Sequence, residues 1–264
     1  MSYEDLLLER KNGIAVITLN APDKANAITT KMKKSLALAV NEIAGDDEVR
    51  VIILTGAGRI FSAGGDMDAM KARVDGTLEE SRYERLQRVG NWADLLPGLD
   101  KPVIAAVNGI AVGAGFSLAM GCDIRIASDK AKFGAVFVLR GLVPDSALTF
   151  LLPRAIGTSK ALELMFTGDI IGADEAKSLD IVSRVVPHEE LMETAQQLAT
   201  RIVQQPPFAI ELTKRLVYRS MIDDLARHLD WETYAQQLCW RTEDFRESAR
   251  AFLEKRPQPP FKGK

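Results

Sequence analysis

The first two thirds of the chain alternate between short apolar runs and longer amphipathic stretches. Runs of β-branched or small apolar residues predict four strands, at residues 14–20, 49–56, 102–109 and 122–128. Residues 29–46 and 78–99, which lie between these runs, carry apolar side chains at helical spacing and predict helices. Because strands and helices alternate, the pattern predicts an α/β fold.

In the last part of the chain the pattern becomes helical throughout. A stripe of apolar residues spaced seven apart, Trp231, Leu238 and Phe245, runs along the last predicted helices. Such a stripe belongs to a protein core or, on a terminal helical region, closes against another subunit. We therefore expect two regions, a core over residues 1–190 and a helical oligomerisation region over residues 191–264.

Charge and composition narrow the classes of function. Lys and Arg number 34 against 36 Asp and Glu, so the net charge is −2 and no nucleic acid partner is expected. No apolar stretch reaches the roughly 20 residues of a membrane span, so no membrane partner is expected either. Cys122 and Cys239 lie far apart and predict a reducing, cytoplasmic location. Because His188 and His228 are isolated, no metal site is expected.

Two glycine-rich turns follow predicted strands, "GRIFSAGGDMDAM" (58–70) and "NGIAVGAGFSLAMGCD" (108–123). Neither contains the G-x-G-x-x-G or G-x-x-x-x-G-K-[ST] pattern of a nucleotide-binding loop. Small residues allow close backbone approach, and the first N–H groups of a helix have no partner within it. Two such donors that converge form an oxyanion hole, although tight turns beside helices are also common structural elements.

These turns, with other stretches, resemble the crotonase superfamily, the enoyl-CoA hydratase/isomerase fold. The matching stretches are "NAPDKANAI" (20–28), "ILTGAGRIFSAGGDM" (53–67), "KPVIAAVNGIAVGAGFSLAMGCDIRIAS" (101–128), "GLVPDSALTFLLPRAIG" (141–157), "TGDIIGADEAKSLDIVSRVVP" (167–187) and "SARAFLEKRPQPPFKG" (248–263). The resemblance implies a ββα spiral core with a C-terminal helical trimerisation region. It also implies an acyl-CoA thioester substrate, no separate cofactor, and a homotrimer or dimer of trimers.

The resemblance also assigns residues to roles. The N–H groups of Gly65 and Ala114 correspond to the donors that stabilise the thioester enolate; the family usually has glycine at the second position. The positions that correspond to coenzyme A contacts are Lys24, Asn26, Ala27, Ala63, Asp66, Met67, Phe252 and Lys255. Among these, the Ala63 carbonyl would meet the adenine amine, and Phe252 and Lys255 would reach coenzyme A from a neighbouring subunit.

Asp145 lies in an apolar segment, where Arg140 is the only other ionisable residue between Phe133 and Pro153. From the residues alone, "PDS" before "ALTFLL" is typical of a helix N-cap. The resemblance offers another role, because the isomerase branch of the family, including enzymes of the phenylacetate-degradation type, carries its catalytic aspartate in a "GLVPDS" stretch. We expect apolar neighbours to desolvate this carboxyl; they are Phe137, Val138, Leu142 and Val143.

Hydratases of the family use two glutamates, whose positions here hold Ser117 and Phe137. No glutamate occurs between Lys101 and Leu162. One base is enough to move a proton between two carbons, whereas adding water needs a positioned water and a proton donor. The sequence therefore favours double-bond isomerisation through Asp145. The alternatives are hydration, hydrolysis or dehalogenation with Asp145 as nucleophile, and acyl-CoA binding without catalysis.

Overall fold

The computed structural model describes residues 3–79 and 92–264, and within these ranges the strands form two sheets. The larger sheet has the order β1 (Leu6–Lys11), β2 (Ile14–Leu19), β3 (Val51–Gly56), β5 (Val103–Val107), β7 (Ile124–Ser128) and β10 (Arg184–Val186). Strands β1 and β2 form an antiparallel hairpin with Leu6 opposite Leu19, and the remaining pairs are parallel. The smaller sheet has the order β4 (Ile60–Ser62), β6 (Ile110–Val112), β8 (Lys132–Gly134) and β9 (Ile170–Gly172).

Ten α-helices lie in the described part of the chain. They are α1 (Thr30–Ala44), α2 (Met67–Val74), α3 (Ala114–Met120), α4 (Leu148–Ile156), α5 (Thr158–Thr167), α6 (Ala173–Ser178), α7 (Leu191–Val203), α8 (Pro207–Ser220), α9 (Leu225–Cys239) and α10 (Glu243–Leu253). The chain passes from β3 to β4 to α2, and again from β5 to β6 to α3. This repeated strand–strand–helix path is the predicted ββα spiral, so the expected α/β fold is confirmed.

The four predicted strands and the first predicted helix are all present, each one to three residues shorter in total than the sequence indicated. All six residues of β3 and all five of β5 are buried, because these central strands are covered on both faces. One face packs against α1 and the smaller sheet, and the other packs against α7. Most of the helix expected over residues 78–99 falls on residues 80–91, which lie outside the described ranges.

The C-terminal helices pack on the core through α7 and α8. Leu191, Ala195 and Ala199 of α7 are buried against the larger sheet. Lys214 of α8 is buried, and its Nζ lies 2.8 Å from Asp123 Oδ2 while donating to two backbone carbonyls. Tyr218, one turn further, donates to Asp123 Oδ1 at 2.9 Å. A buried, fully paired ammonium thus joins the two regions that the sequence predicted; the boundary at residue 190 stays a prediction.

The apolar stripe of the last helices is not part of this chain's core. Trp231 is 38% exposed and Phe245 43% exposed, while Phe252 reaches 84%. A break separates α9 from α10, where the Thr242 hydroxyl caps the second helix by accepting from Phe245 N. The core interpretation of the stripe is therefore wrong for a single subunit. Among the described residues, no helix has the length and apolar character needed to cross a bilayer.

Candidate active site

Two turns meet backbone to backbone at the centre of the candidate site. A Cβ placed on Gly64 would lie 2.6 Å from Val112 O and 3.1 Å from Ala114 N. One placed on Gly115 would lie 2.4 Å from Ser62 O. A real Cβ atom does not approach backbone atoms so closely. Glycine at these two positions therefore allows the first glycine-rich turn, which follows β4, to contact the start of α3.

The contact between the turns brings two free backbone donors into the same place. Within the described residues, the N–H groups of Gly65 and Ala114 donate to no protein acceptor. Gly65 is exposed and Ala114 is half-buried, so an incoming ligand can reach both. The hydrogen bond from Ile28 N to Gly64 O, at 2.7 Å, holds the first turn against the start of α1. Backbone donors fixed in this way can stabilise an oxyanion without reorganising.

Asp145 is positioned beside α3 by a side-chain contact. The hydroxyl of Ser117, in the first turns of α3, donates to Asp145 O at 3.1 Å. On the aspartate itself, Oδ1 accepts from the Ser146 hydroxyl at 2.9 Å, and Oδ2 has no partner in the described part of the chain. One carboxylate oxygen is therefore held in place while the other remains available.

The N-cap interpretation of Asp145 is wrong. Helix α4 begins at Leu148, its N-cap is Ala147, and no side chain caps it. Ser146 and Ala147 both have left-handed backbone, with φ of 54° and 64°, and they turn the chain between the aspartate and the helix. The Asp145 carboxyl consequently accepts from the Ser146 hydroxyl and from none of the helix N–H groups in the described structure that it was expected to cap.

The expected apolar enclosure of Asp145 is also only partly present. Phe137 is buried, but Val138, Leu142 and Val143 are 39%, 51% and 80% exposed in the single chain. These three residues lie on the surface because a 3-10 helix over Val136–Arg140 and the turn at Gly141 carry the segment outward. Asp145 itself is half-buried.

The two positions that hold glutamates in hydratases cannot supply a second acid here. Phe137 has no ionisable group. Ser117 is 2% exposed, and its hydroxyl is occupied by the carbonyls of Gly113 and Asp145. No glutamate occurs between Lys101 and Leu162, and the carboxylate of Asp123, six residues after Ser117, already pairs with Lys214 and Tyr218.

Several residues assigned to coenzyme A lie accessibly around the first turn. Ala63 is exposed, and its carbonyl accepts no hydrogen bond from the described residues. Lys24 is exposed, with its Nζ 3.9 Å from Asp68 Oδ2. Met67 is 60% exposed. Asp66 caps α2, since its Oδ1 accepts from the backbone of the first helical turn. These positions suit a ligand lying across the turn.

The remaining assigned residues behave differently. Asn26 is fully buried, and its amide hydrogen bonds to backbone atoms of Ala21, Ala57 and Ile60. The side chain therefore shapes the loop, and the expectation that Asn26 lines the coenzyme A channel stays a prediction. Ala27 beside it is 8% exposed. Phe252 and Lys255 are exposed, as contacts to a neighbouring subunit would require.

One residue near the site was missed from the sequence. Lys33 is half-buried on the second turn of α1, and its pKa is lowered by burial, while the nearby carboxylates of Asp145 and Asp66 oppose part of that shift. Lys33 lies between Lys31 and Lys34, and a group of lysines on an amphipathic helix is typical of a solvated surface. Nothing in the sequence pattern distinguishes Lys33 from its neighbours.

Comparison with known proteins agrees with this geometry. The family model described as enoyl-CoA hydratase/isomerase matches residues 9–264. The chain is 39% identical, over the whole of both sequences, to a short-chain-enoyl-CoA hydratase of Clostridium acetobutylicum. It is 38% identical to a 1,2-epoxyphenylacetyl-CoA isomerase of Escherichia coli K12, over 99% of each sequence.

A solved structure extends the match to three dimensions. The enoyl-CoA hydratase subunit I of Geobacillus kaustophilus HTA426 superposes with a TM-score of 0.91 at 38% identity, over 99% of each chain. The spiral of strands and helices, the paired turns and these matches lead to one conclusion. The chain belongs to the enoyl-CoA hydratase/isomerase family.

Proposed function

We propose that this protein moves the double bond of an enoyl-CoA thioester by a proton shift between two carbons. The observation that carries the proposal is the presence of one available carboxylate, that of Asp145, beside two N–H donors, those of Gly65 and Ala114, that have no acceptor among the described residues. A base and an oxyanion hole are what enolisation of a thioester needs. The coenzyme A part would lie across the turn, with its adenine at the Ala63 carbonyl.

In this mechanism the Asp145 carboxylate removes a proton from C2 of a 3-enoyl-CoA, which the thioester acidifies. The electron pair moves onto the thioester oxygen, and the N–H groups of Gly65 and Ala114 donate to that oxygen. The protonated Asp145 then returns the proton to C4. The double bond has moved from C3–C4 to C2–C3, and the carboxylate is regenerated. No water is consumed, so a single carboxyl performs both proton transfers.

Hydration is the second candidate, because several similar proteins are named as hydratases, among them the relative of Clostridium acetobutylicum and a crotonyl-CoA hydratase of Syntrophomonas wolfei. A hydratase must both position a water and supply a proton. Ser117 and Phe137 stand where the family's two glutamates would stand, so Asp145 would have to perform both tasks. This chemistry favours isomerisation.

Incubation with 3-enoyl-, 2-enoyl- and aryl-CoA thioesters in heavy water separates these activities by mass spectrometry. Isomerisation places deuterium at C2 and C4 without adding oxygen. Hydration adds one water to a 2-enoyl-CoA. A stable ester between Asp145 and the acyl group, or release of free coenzyme A, would overturn the proposal in favour of nucleophilic chemistry. Binding without label on any thioester would indicate a non-catalytic acyl-CoA binder.

Substitution of Asp145 tests its role as the base. In Asp145→Asn the exchange rate should fall by about 10²–10⁴-fold, since the sole proton acceptor is lost. Because Asp145 is not a helix cap, Asp145→Ala should fold as stably as Asp145→Asn, to within about 1 kcal/mol for the lost Ser146 contact. Affinity for a saturated acyl-CoA should survive in both variants. Near wild-type exchange in either one would exclude Asp145 as the base.

We also infer assembly into a trimer or a dimer of trimers, with no nucleic acid or membrane partner. The exposed apolar side chains of α9 and α10 support it, since Tyr234, Phe252 and Leu253 are 57%, 84% and 77% exposed in the single chain. An apolar surface of this kind marks a protein interface. Light scattering at micromolar concentration tests the inference, and a monomer would refute it.

A further inference from the structure

Lys33 lies among the elements that form the active site but has no part in the proton shift. Helix α1 starts beside the first turn, because Ile28 pairs with Gly65 as an isolated parallel bridge. The Thr29 hydroxyl caps this helix by accepting from Met32 N. Lys33 follows one turn later, with its N–H bonded to Thr29 O at 2.9 Å. The start of α1 is therefore fixed against the first turn, which carries Gly65, and the backbone of Lys33 is fixed with it.

Among residues 3–79 and 92–264, no hydrogen-bond or ion-pair partner contacts the ammonium of Lys33. Its neighbour Lys31 forms an ion pair with Glu4 at 2.6 Å, whereas no carboxylate of the described residues lies within 4 Å of Lys33 Nζ. The carboxylates of Asp66 and Asp145 are close enough to act on it electrostatically. Burying an ammonium in part, without a hydrogen-bond acceptor, is unfavourable. An apolar side chain at this position would avoid that cost, so the half-buried lysine calls for an acceptor that arrives with the substrate.

We propose that Lys33 is a specificity-determining residue that donates a hydrogen bond to an oxygen atom on the acyl group of the substrate. The substrate class is then an oxygen-substituted enoyl-CoA, and this statement rests on the proposed function. The acceptor is a neutral oxygen, as in a hydroxyl or oxo group. The carboxylates of Asp66 and Asp145 already act electrostatically on the Lys33 ammonium, so they would repel a third negative charge on the acyl group.

Matched thioesters test the proposal. The probes are 3-heptenoyl-CoA, its analogues in which a hydroxyl replaces the terminal methyl or an oxo group replaces one chain methylene, and the analogue with a terminal carboxylate. A hydrogen bond to a charged donor corresponds to roughly 10- to 100-fold in affinity. We expect at least one neutral oxygenated thioester to exceed 3-heptenoyl-CoA in kcat/KM by about 10-fold or more, through a lower KM.

Variants on the same helix identify the donor. Lys33→Met should abolish the preference by raising KM for the oxygenated thioester, with little change for 3-heptenoyl-CoA. Lys33→Arg, which keeps the charge and the donors, should retain part of it. Lys34→Met is the matched control, because Lys34 is exposed, and it should leave the preference unchanged. Three outcomes would each overturn the proposal: the preference survives in Lys33→Met, the wild type shows no preference, or the wild type prefers the thioester with the terminal carboxylate.

Failure of the proposed function can be recognised separately. If no thioester exchanges protons, isothermal titration with saturated heptanoyl-CoA and its hydroxyl and oxo analogues still tests Lys33 by binding alone. Tighter binding of an oxygenated analogue that Lys33→Met removes would support the role of Lys33 without any catalysis. Equal binding of all analogues would refute it.

Discussion

Gly64→Ala changes the contact between the two turns without removing any proposed catalytic group. The new Cβ would start 2.6 Å from Val112 O and 3.1 Å from Ala114 N, on a residue whose φ is 93°. To reach even 3.0 Å from Val112 O, the turns must separate by 0.4 Å. The Gly65 and Ala114 donors, which lie on opposite sides of this contact, would separate with them.

The structure allows the size of both effects to be estimated. A non-glycine residue at a strained positive φ costs about 1–3 kcal/mol, and overpacking a close contact costs about 1–3 kcal/mol more. Stability should therefore fall by roughly 2–5 kcal/mol. Oxyanion donors act only within a few tenths of an ångström of their optimal distance, and loss of one lowers turnover by about 10²–10³-fold. We expect kcat to fall by a factor of this size in the molecules that remain folded.

Urea unfolding followed by tryptophan fluorescence measures the first effect, and deuterium exchange on a 3-enoyl-CoA measures the second. Gly45→Ala is the matched control, because its φ is −90° and no atom lies within 4 Å of its added Cβ. That variant should keep both stability and rate. A folded Gly64→Ala enzyme with wild-type kcat would show that the packing of the turns does not position the donors, and would refute the oxyanion-hole assignment.

Three further predictions concern other parts of the molecule. Ala114→Pro removes one oxyanion donor, at the first position of α3, where proline is tolerated. We expect kcat to fall about 10²–10³-fold while the circular dichroism spectrum stays unchanged. Full activity would exclude the Ala114 N–H as a donor. Lys214→Met leaves the Asp123 carboxylate without its buried partner and should lower the free energy of unfolding by about 3–5 kcal/mol. The control Arg215→Met removes an exposed ion pair and should lower it by less than about 1 kcal/mol. Equal losses of stability in urea titrations would contradict the estimate for Lys214. Burial raises the pKa of Cys122 to about 12, so iodoacetamide at pH 8 should modify this thiol only after the protein unfolds. Mass spectrometry that shows fast modification of Cys122 in the native protein would contradict its burial.

The parts of the fold that the sequence predicted well are those controlled by local periodicity. The apolar runs at β3 and β5 are strands because both their faces are covered, and α1 follows its amphipathic spacing from the Thr29 cap onward. The glycine-rich turns indicated close backbone approach. Which glycine meets which carbonyl depends on the packing of β4 against β6, and local sequence does not encode it.

The errors occurred where tertiary contacts overrode a local signal. Aspartate is a common N-cap residue, but after Asp145 two residues with left-handed backbone intervene, and the helix begins only at Leu148. The side-chain amide of Asn26 is hydrogen-bonded to three backbone atoms, a structural role that its motif does not reveal. Lys33 was missed because its burial results from the elements packed around α1. None of these three outcomes follows from residue type or spacing.

The left-handed pair Ser146–Ala147 has a consequence for protein engineering. Each residue stores about 1–3 kcal/mol of backbone strain, and the buried Leu148 that follows helps to hold the pair in place. Selection for heat resistance alone should therefore find glycine substitutions at these two positions, since glycine adopts this conformation without strain. Such variants would tolerate higher temperature, and Ser146→Gly would turn over more slowly because it also removes the hydroxyl that holds Asp145 Oδ1. Screens for a durable catalyst should score turnover and melting temperature together.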